Sequence, residues 1–307
     1  MRIIAPDEVV FGVDNLEGCR QFISDYGLIQ HDTPTGGYRF EAQDGTGITI
    51  ERQENPDLPP ALPTGSMLRQ TIWGCEDQDA VEEIEAELSK DREVTRHADR
   101  SISCLDDVGF AIAFRATRRR PLDLGFERVN SPGSPVMRPA NVLAQITDPI
   151  VPRTLGHVVY FTPDSDKMEA FFVERLNFVV TDRFTGTGPF LRSRDNYEHH
   201  SLFLIQTPPH MQGLEHIAFH VEGPTEVMTA GSRMLEKGYE SFWGPGRHVM
   251  GSNWFWYFNS PMGFRMEYDA DMDQHDENWV PRELPNTAET AQTFLFRSAE
   301  KFLPGGD

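Results

Sequence analysis

Positive charge and cysteine are both scarce in this chain. Lys and Arg number 28 against 48 Asp and Glu, a formal charge of −20. A surface of that sign repels phosphate backbones and anionic lipid alike, so neither nucleic acid nor a membrane is expected as a partner. No apolar run approaches the roughly 18 residues of a membrane span, and the opening MRIIAPDEVVFG lacks the apolar stretch of a secretory signal. A cytoplasmic protein is expected. The three cysteines, Cys19, Cys75 and Cys104, are odd in number, fall on expected core faces and show no C-x-x-C spacing, which argues against a disulfide framework and a cysteine zinc site. No H-E-x-x-H is present either, so any metal site must be assembled from residues far apart in sequence.

What is present is a repeated order of elements. EVVFGV reads as a strand, and Asp14 or Asn15 can cap a helix whose inner face is Leu16, Cys19, Phe22 and Ile23. YRFEAQ and ITIERQ follow as strands about an Asp44-Gly45 turn, and the proline-rich LPPALP ends the pairing before the strand LRQTIWGC. A helix capped by Asp77 or Asp79 then buries Ala80, Val81, Ile84 and Leu88, and ISCL and FAIAFRA complete a module over residues 1–120. Residues 121–153 are broken by prolines and fit a linker with one short strand at NVLAQI. Arg118, Arg119 and Arg120 at its start fit a solvated strand end or an internal ion-pair site.

Over residues 154–270 the order returns: HVVYFT answers EVVFGV, LEHIAFHV answers LRQTIWGC, and GFRMEYD answers GFAIAFR. The helices answer too, with Met168, Phe171, Phe172 and Leu176 on one face and EVMTAGSRMLEKG ending at Gly238. In this register His157, His216 and Glu267 stand opposite Glu8, Gln70 and Ala113. Two imidazoles and one carboxylate meeting on one face of a metal form the facial set of non-heme Fe(II) oxygenases, and only the second copy has them. Residues 271–307 form a tail with polar helical character around Thr287 to Phe302, placed either over the site or between subunits.

Over residues 155–269 the sequence resembles the type I extradiol ring-cleavage dioxygenases of the vicinal oxygen chelate superfamily. The resemblance implies an α+β fold of paired βαβββ modules, two half-open barrels, with a metal in the second. It implies His157 in LGHVV, His216 in LEHIAFHV and Glu267 in GFRMEY as ligands of Fe(II), with Mn(II) the alternative. His220, four residues after His216, is then a supporting or core histidine. The run GRHVMGSNWFWYFNSPMGFRME keeps the family's signature in step at Gly246, His248, Tyr257, Pro261, Gly263 and Glu267, and departs at Trp256 and Ser260. Those departures bear on pocket shape and substrate.

The resemblance further implies His200 in YEHHSLFL as acid/base and Tyr257 and His248 as groups that orient substrate oxygens. Read as strand residues, His199 and His200 would face opposite sides. Alone, Tyr257 among Trp254, Phe255 and Trp256 would be ordinary core. The implied reaction opens the ring of an aromatic diol with O2 in a homo-oligomeric enzyme. Trp243, Trp254, Trp256, Phe184 and Phe190 are candidates for an apolar pocket. Three alternatives stay open. A glyoxalase-type isomerase would need four ligands from both modules; a 4-hydroxyphenylpyruvate-dioxygenase-like enzyme usually spaces its histidines further apart than 157 and 216; a bleomycin-resistance-type protein would bind an aromatic ligand without metal.

Overall fold

The computed structural model describes residues 1–144 and 149–296. The first module runs β1 (Ile3–Val13), α1 (Leu16–Tyr26), β2 (Ile29–Asp32), β3 (Tyr38–Glu41), β4 (Gly47–Arg52), β5 (Leu68–Cys75), α2 (Gln78–Leu88), β6 (Thr95–Arg96), β7 (Ile102–Leu105) and β8 (Ala111–Ala116). Asn15 caps α1 by accepting from the Gly18 amide, and Asp77 caps α2 through Ala80. Gly27, at φ 105°, supplies the left-handed turn that ends α1. Burial falls on the expected stripes, except that Cys104 is only partly buried.

The second module runs β9 (Thr154–Thr162), α3 (Ser165–Ala170) continuing into a π-helical turn at Phe171–Arg175, β10 (Phe178–Thr185), β11 (Gly188–Ser193), β12 (Leu202–Gln206), β13 (Gly213–His220), α4 (Pro224–Glu236), β14 (Ser241–His248), β15 (Trp254–Asn259) and β16 (Arg265–Ala270). The tail adds β17 (Arg282–Pro285), a single turn α5 (Ala288–Ala291) and β18 (Gln292–Leu295). Among the described residues the strands form an eight-stranded sheet ordered β2-β3-β4-β1-β5-β8-β7-β6 and a ten-stranded sheet ordered β17-β10-β11-β12-β9-β13-β16-β15-β14-β18. Both mix parallel and antiparallel pairs, and neither closes into a barrel. This is the α+β vicinal oxygen chelate fold.

The internal register matches residue by residue. Ile72 pairs with both Glu8 and Ala113, and Ala218 pairs with both His157 and Glu267. Alternation then decides what faces what. Val158, Tyr160, Ile217, Phe219, Met266, Tyr268, Trp256 and Phe258 belong to an apolar core that continues into the first module. Their neighbours Val159, Phe161, Phe255 and Tyr257 belong to a second cluster on the other face of the same sheet, and that face carries the candidate site. The shared core is knit by stacked pairs, Phe11 on Phe264 at 4.7 Å and Tyr26 on Tyr268 at 3.9 Å.

Two sequence expectations need correction. Residues 141–144 form turn and irregular chain, and the rest of the strand expected at NVLAQI, residues 145–146, lies outside the described residues. Where a helix over Thr287 to Phe302 was expected, only Ala288–Ala291 is helical among the described residues: β17 pairs with β10, β18 pairs with β14, and residues 297–302 lie outside the described residues. The unpaired edges of the sheet offer the tail more backbone hydrogen bonds than a short polar helix could make alone. The arginine run is an ion-pair site, with Arg119 bonded to Asp44 at 3.0 Å and to the carbonyls of Pro6 and Leu155 across the two modules. No helix among the described residues is long and apolar enough to cross a membrane.

Candidate metal centre and aromatic pocket

His157, His216 and Glu267 sit on three adjacent strands, β9, β13 and β16, and the sheet brings them together on one face, each essentially buried. His157 Nε2 lies 3.2 Å from His216 Nε2 and 3.1 Å from Glu267 Oε2, and His216 Nε2 lies 3.3 Å from the same oxygen. An irregularity in β13 between Leu214 and His216 breaks the strict alternation there and lets the adjacent carboxylate of Glu215 pair with His216 Nδ1. Glu215 is itself held by Arg265 at 2.9 Å.

These dimensions fit a divalent metal. Neighbouring ligands about 2.1 Å from an ion in octahedral geometry stand about 3 Å apart, which all three edges approach. Two ring nitrogens and a carboxylate oxygen meet without an intervening donor of fixed charge, and Glu267 Oε1 and His157 Nδ1 are buried without a hydrogen-bond partner. Burial would raise the Glu267 carboxyl, yet the two histidines, with His248, hold it well below its ordinary range. Burial would lower His216, but Glu215 and Glu267 push it up to about 9. A cation at Nε2, whether proton or metal, answers that surplus of negative charge. His220 stands apart from the three, paired with Asp269 at 2.7 Å and Glu198 at 3.3 Å.

The cluster opens into a pocket with about 390 Å³ of empty space, part of it continuous with solvent. Its apolar wall is Phe184, Phe190, Phe203, Trp243, Met250 and Ala291, and its polar groups include His200, His248 and Tyr257. Of the five aromatics expected there, Trp254 and Trp256 lie elsewhere: Trp254 faces Arg247 and Phe294, and Trp256 packs on Gly231. His248 Nε2 is 3.2 Å from the Tyr257 hydroxyl, and its Nδ1 is 3.0 Å from the carbonyl of Ala291 in the tail. Burial and the nearby Glu267 raise the Tyr257 phenol well above its ordinary value, so it remains a hydrogen-bond donor. The His200 ring lies against that of His157, centroids 4.2 Å apart and planes tilted by 43°, and burial, with His157 alongside, holds it well below its ordinary value.

The strand reading of His199 and His200 is overturned. Both precede β12 in irregular chain, and instead of facing apart their Nδ1 atoms lie 2.9 Å from each other. Sequence reasoning also missed Glu215, Asp269, Phe203, Met250, Asn253 and Ala291. Asp269 was within reach of it, two residues beyond Glu267 on the same strand face; Ala291 carries no such signal.

Residues 154–268 match the sequence profile of the Glyoxalase/Bleomycin resistance protein/Dioxygenase superfamily. The second module is a domain of that superfamily. Among curated relatives, metapyrocatechase 2 of Cupriavidus necator is 34% identical over 141 residues, covering 46% of this chain and 43% of its own length. The manganese-dependent 2,3-dihydroxybiphenyl 1,2-dioxygenase of Geobacillus genomosp. 3 is 30% identical, covering 39% of this chain and 37% of its own length. The iron-dependent extradiol dioxygenase of Rhodococcus jostii is also 30% identical, covering 42% and 47%. The matched stretch is thus less than half of each relative. The fold likeness extends further: a Mn(II)-bound glyoxalase from Novosphingobium aromaticivorans superposes with a TM-score of 0.76 at 19% identity over 97% of this chain and 93% of its own. A halotolerant catechol dioxygenase superposes with a TM-score of 0.76 at 18% identity over 99% and 98%.

Proposed function

We propose that this chain is an extradiol dioxygenase that opens the ring of a catechol-type diol with O2, using Fe(II), or Mn(II), held by His157, His216 and Glu267. The observation that carries this reading is the facial cluster of two histidines and a glutamate at the floor of an aromatic pocket that also holds His200, His248 and Tyr257. Three of the metal's positions would stay open to the substrates, and a redox-active divalent ion supplies the means of bringing a diol and O2 to reaction. The curated relatives, one named a metapyrocatechase, one a 2,3-dihydroxybiphenyl 1,2-dioxygenase and one an extradiol dioxygenase, support the class; one named for manganese and one for iron leave both metals in play.

The protein's own groups account for binding and proton handling. Phe184, Phe190, Phe203 and Trp243 surround a flat ring and exclude water. His200, neutral at working pH, accepts the proton of a substrate hydroxyl at its pocket-facing nitrogen and later returns it, for a product that is a ring-opened semialdehyde or oxo-dienoate. Tyr257 donates a hydrogen bond to an oxygen of the bound diol, and His248, braced by the Ala291 carbonyl, orients Tyr257 and the diol.

A glyoxalase-type site shared between modules finds no support in the first module. There Glu8 is occupied by both terminal nitrogens of Arg115 at 3.0 Å, by Arg39 at 3.3 Å and by Thr49 at 2.6 Å. The test is metal content of anaerobically purified protein by elemental analysis, followed by assay of monocyclic, bicyclic and carboxylated catechols for the yellow ring-opened product. Protein without metal at any loading overturns the enzyme reading in favour of ligand binding; metal without ring opening of any diol overturns the dioxygenase reading. Cytoplasmic location and self-association remain part of the same proposal, as do the division at 120, 153 and 270 and the absence of nucleic-acid and membrane partners.

A further inference from the structure

Behind His200, on the side away from the pocket, stands a second buried histidine and then a buried carboxylate. His199 Nδ1 lies 2.9 Å from His200 Nδ1, and His199 Nε2 lies 2.8 Å from Asp182 Oδ2. All three are buried, Asp182 and His199 completely and His200 to 5% exposure. Asp182 is fixed in turn by the tail: the Arg282 amide donates to its Oδ1 at 2.7 Å and the Arg282 Nε to its Oδ2 at 3.0 Å. His199 is fixed by its own amide, which donates to the Asp273 carbonyl at 2.8 Å. Gly251, at φ 84°, passes so close that a Cβ there would come 3.2 Å from His199 Nδ1.

The proton positions follow from donor and acceptor count. The ion pair with Arg282 keeps Asp182 ionised, and an ionised carboxylate only accepts, so His199 Nε2 carries a hydrogen. Burial holds the His199 ring below its ordinary value, so it is neutral and its Nδ1 is bare. A bare nitrogen 2.9 Å from another ring nitrogen requires a hydrogen on that one. We propose that Asp182 and His199 are positioning residues that lock His200 as its Nδ1–H tautomer, leaving a bare Nε2 for the pocket. This rests on the reading of His200 as proton acceptor, and supplies what that reading needs: a lone pair at the one nitrogen a substrate hydroxyl can meet. The Nδ1–H form is the less favoured tautomer of a free histidine, so the lock is visible spectroscopically. The arrangement has the logic of a carboxylate that selects the tautomer of a catalytic imidazole, with one more ring interposed.

The experiment is two-bond 15N–1H NMR of the full chain, labelled at histidine and prepared without added metal, with His200 assigned by His200→Phe. The wild type is expected to show His200 as Nδ1–H and His199 as Nε2–H. Asp182→Asn exchanges one carboxylate oxygen for an NH2 and removes the charge that holds the hydrogen on His199 Nε2, which is expected to shift both rings toward the opposite tautomer and give His200 a population with Nε2–H toward the pocket. His199→Asn, which keeps an acceptor near the old Nδ1, is expected to preserve the wild-type tautomer of His200. An Nε2–H tautomer at His200 in the wild type overturns the proposal even if neither variant folds, and so does a folded Asp182→Asn with His200 unchanged. In the metal-loaded enzyme, Asp182→Asn should lower kcat by roughly 100-fold or more while KM and metal content stay near wild type. A wild type with the expected tautomers and no ring-opening activity supports the lock while defeating the dioxygenase reading, so the two failures are distinguishable.

Discussion

At the scale of single residues the site makes sharp demands. His157→Ala, His216→Ala and Glu267→Ala are each expected to abolish metal binding and activity while circular dichroism stays near wild type, because the ligands lie on the smaller cluster's face of the sheet and leave the shared core untouched. Gln70→Ala, at the position answering His216, should leave metal stoichiometry unchanged; loss of metal there would point to a site shared between modules. His200→Phe should retain metal and bind catechol, yet turn over roughly 100- to 10,000-fold more slowly by stopped flow. A separate titration lies far from this chemistry. Asp106 accepts from the amides of Val108 and Phe110 through one oxygen while the other is buried without a partner, and burial outweighs those bonds to push its pKa up to about 7. The folded chain therefore holds a proton that the unfolded chain releases near pH 4, so this residue's contribution is fullest below pH 4 and is lost as pH rises to 7, by up to about 1.4 kcal/mol per unit. Asp106→Asn should flatten that part of the stability profile in denaturant titrations at pH 5 and pH 8. A profile identical to wild type would show that Asp106 is ionised in the fold. The meeting of His157, His216 and Glu267 on one face was legible in sequence because strand register is a period-two count that survives duplication. The pairing of His199 with His200 was not, because a carbonyl 74 residues away, at Asp273, sets their local conformation.

At the scale of elements the tail matters most. β17 and β18 extend opposite ends of the same ten-stranded sheet, and the strap they form with the turn α5 between them places Ala291 in the pocket wall. Ala291→Phe should therefore narrow the pocket at its outer side. Ring opening of bicyclic diols is expected to fall relative to monocyclic ones by roughly 10- to 200-fold in kcat/KM, the range that small steric differences in an apolar pocket command. Equal losses on both would show that the strap does not set substrate size. Helix caps and hairpin turns in the first module could be read from Asn15, Asp77 and Asp44-Gly45, since each acts on its immediate neighbours. The strap could not, since its strands exist only where β10 and β14 offer them an edge.

At the scale of the whole molecule the two modules behave as one body, for a single apolar cluster runs through both and the Tyr26 hydroxyl donates to the backbone carbonyl of Glu267. A single calorimetric unfolding transition is expected, and Tyr26→Phe should lower its midpoint by about 2 °C, the effect of losing one buried hydrogen bond worth about 1 kcal/mol in a chain this long. Two resolved transitions would show that the modules unfold separately. The duplication itself was readable from element order, while the extent of the shared core needed the alternate faces of β9, β13 and β16. The first module has one more consequence. At the position answering His157 it keeps an acidic group, Glu8, and neutralises it with Arg115 and Arg39, cations that are covalently part of the chain and so cannot be chelated or exchanged. Half of the molecule is thereby indifferent to metal supply and keeps the common core assembled when the ion is scarce. On the proposed function, loss and return of the ion are then changes of occupancy rather than of folding.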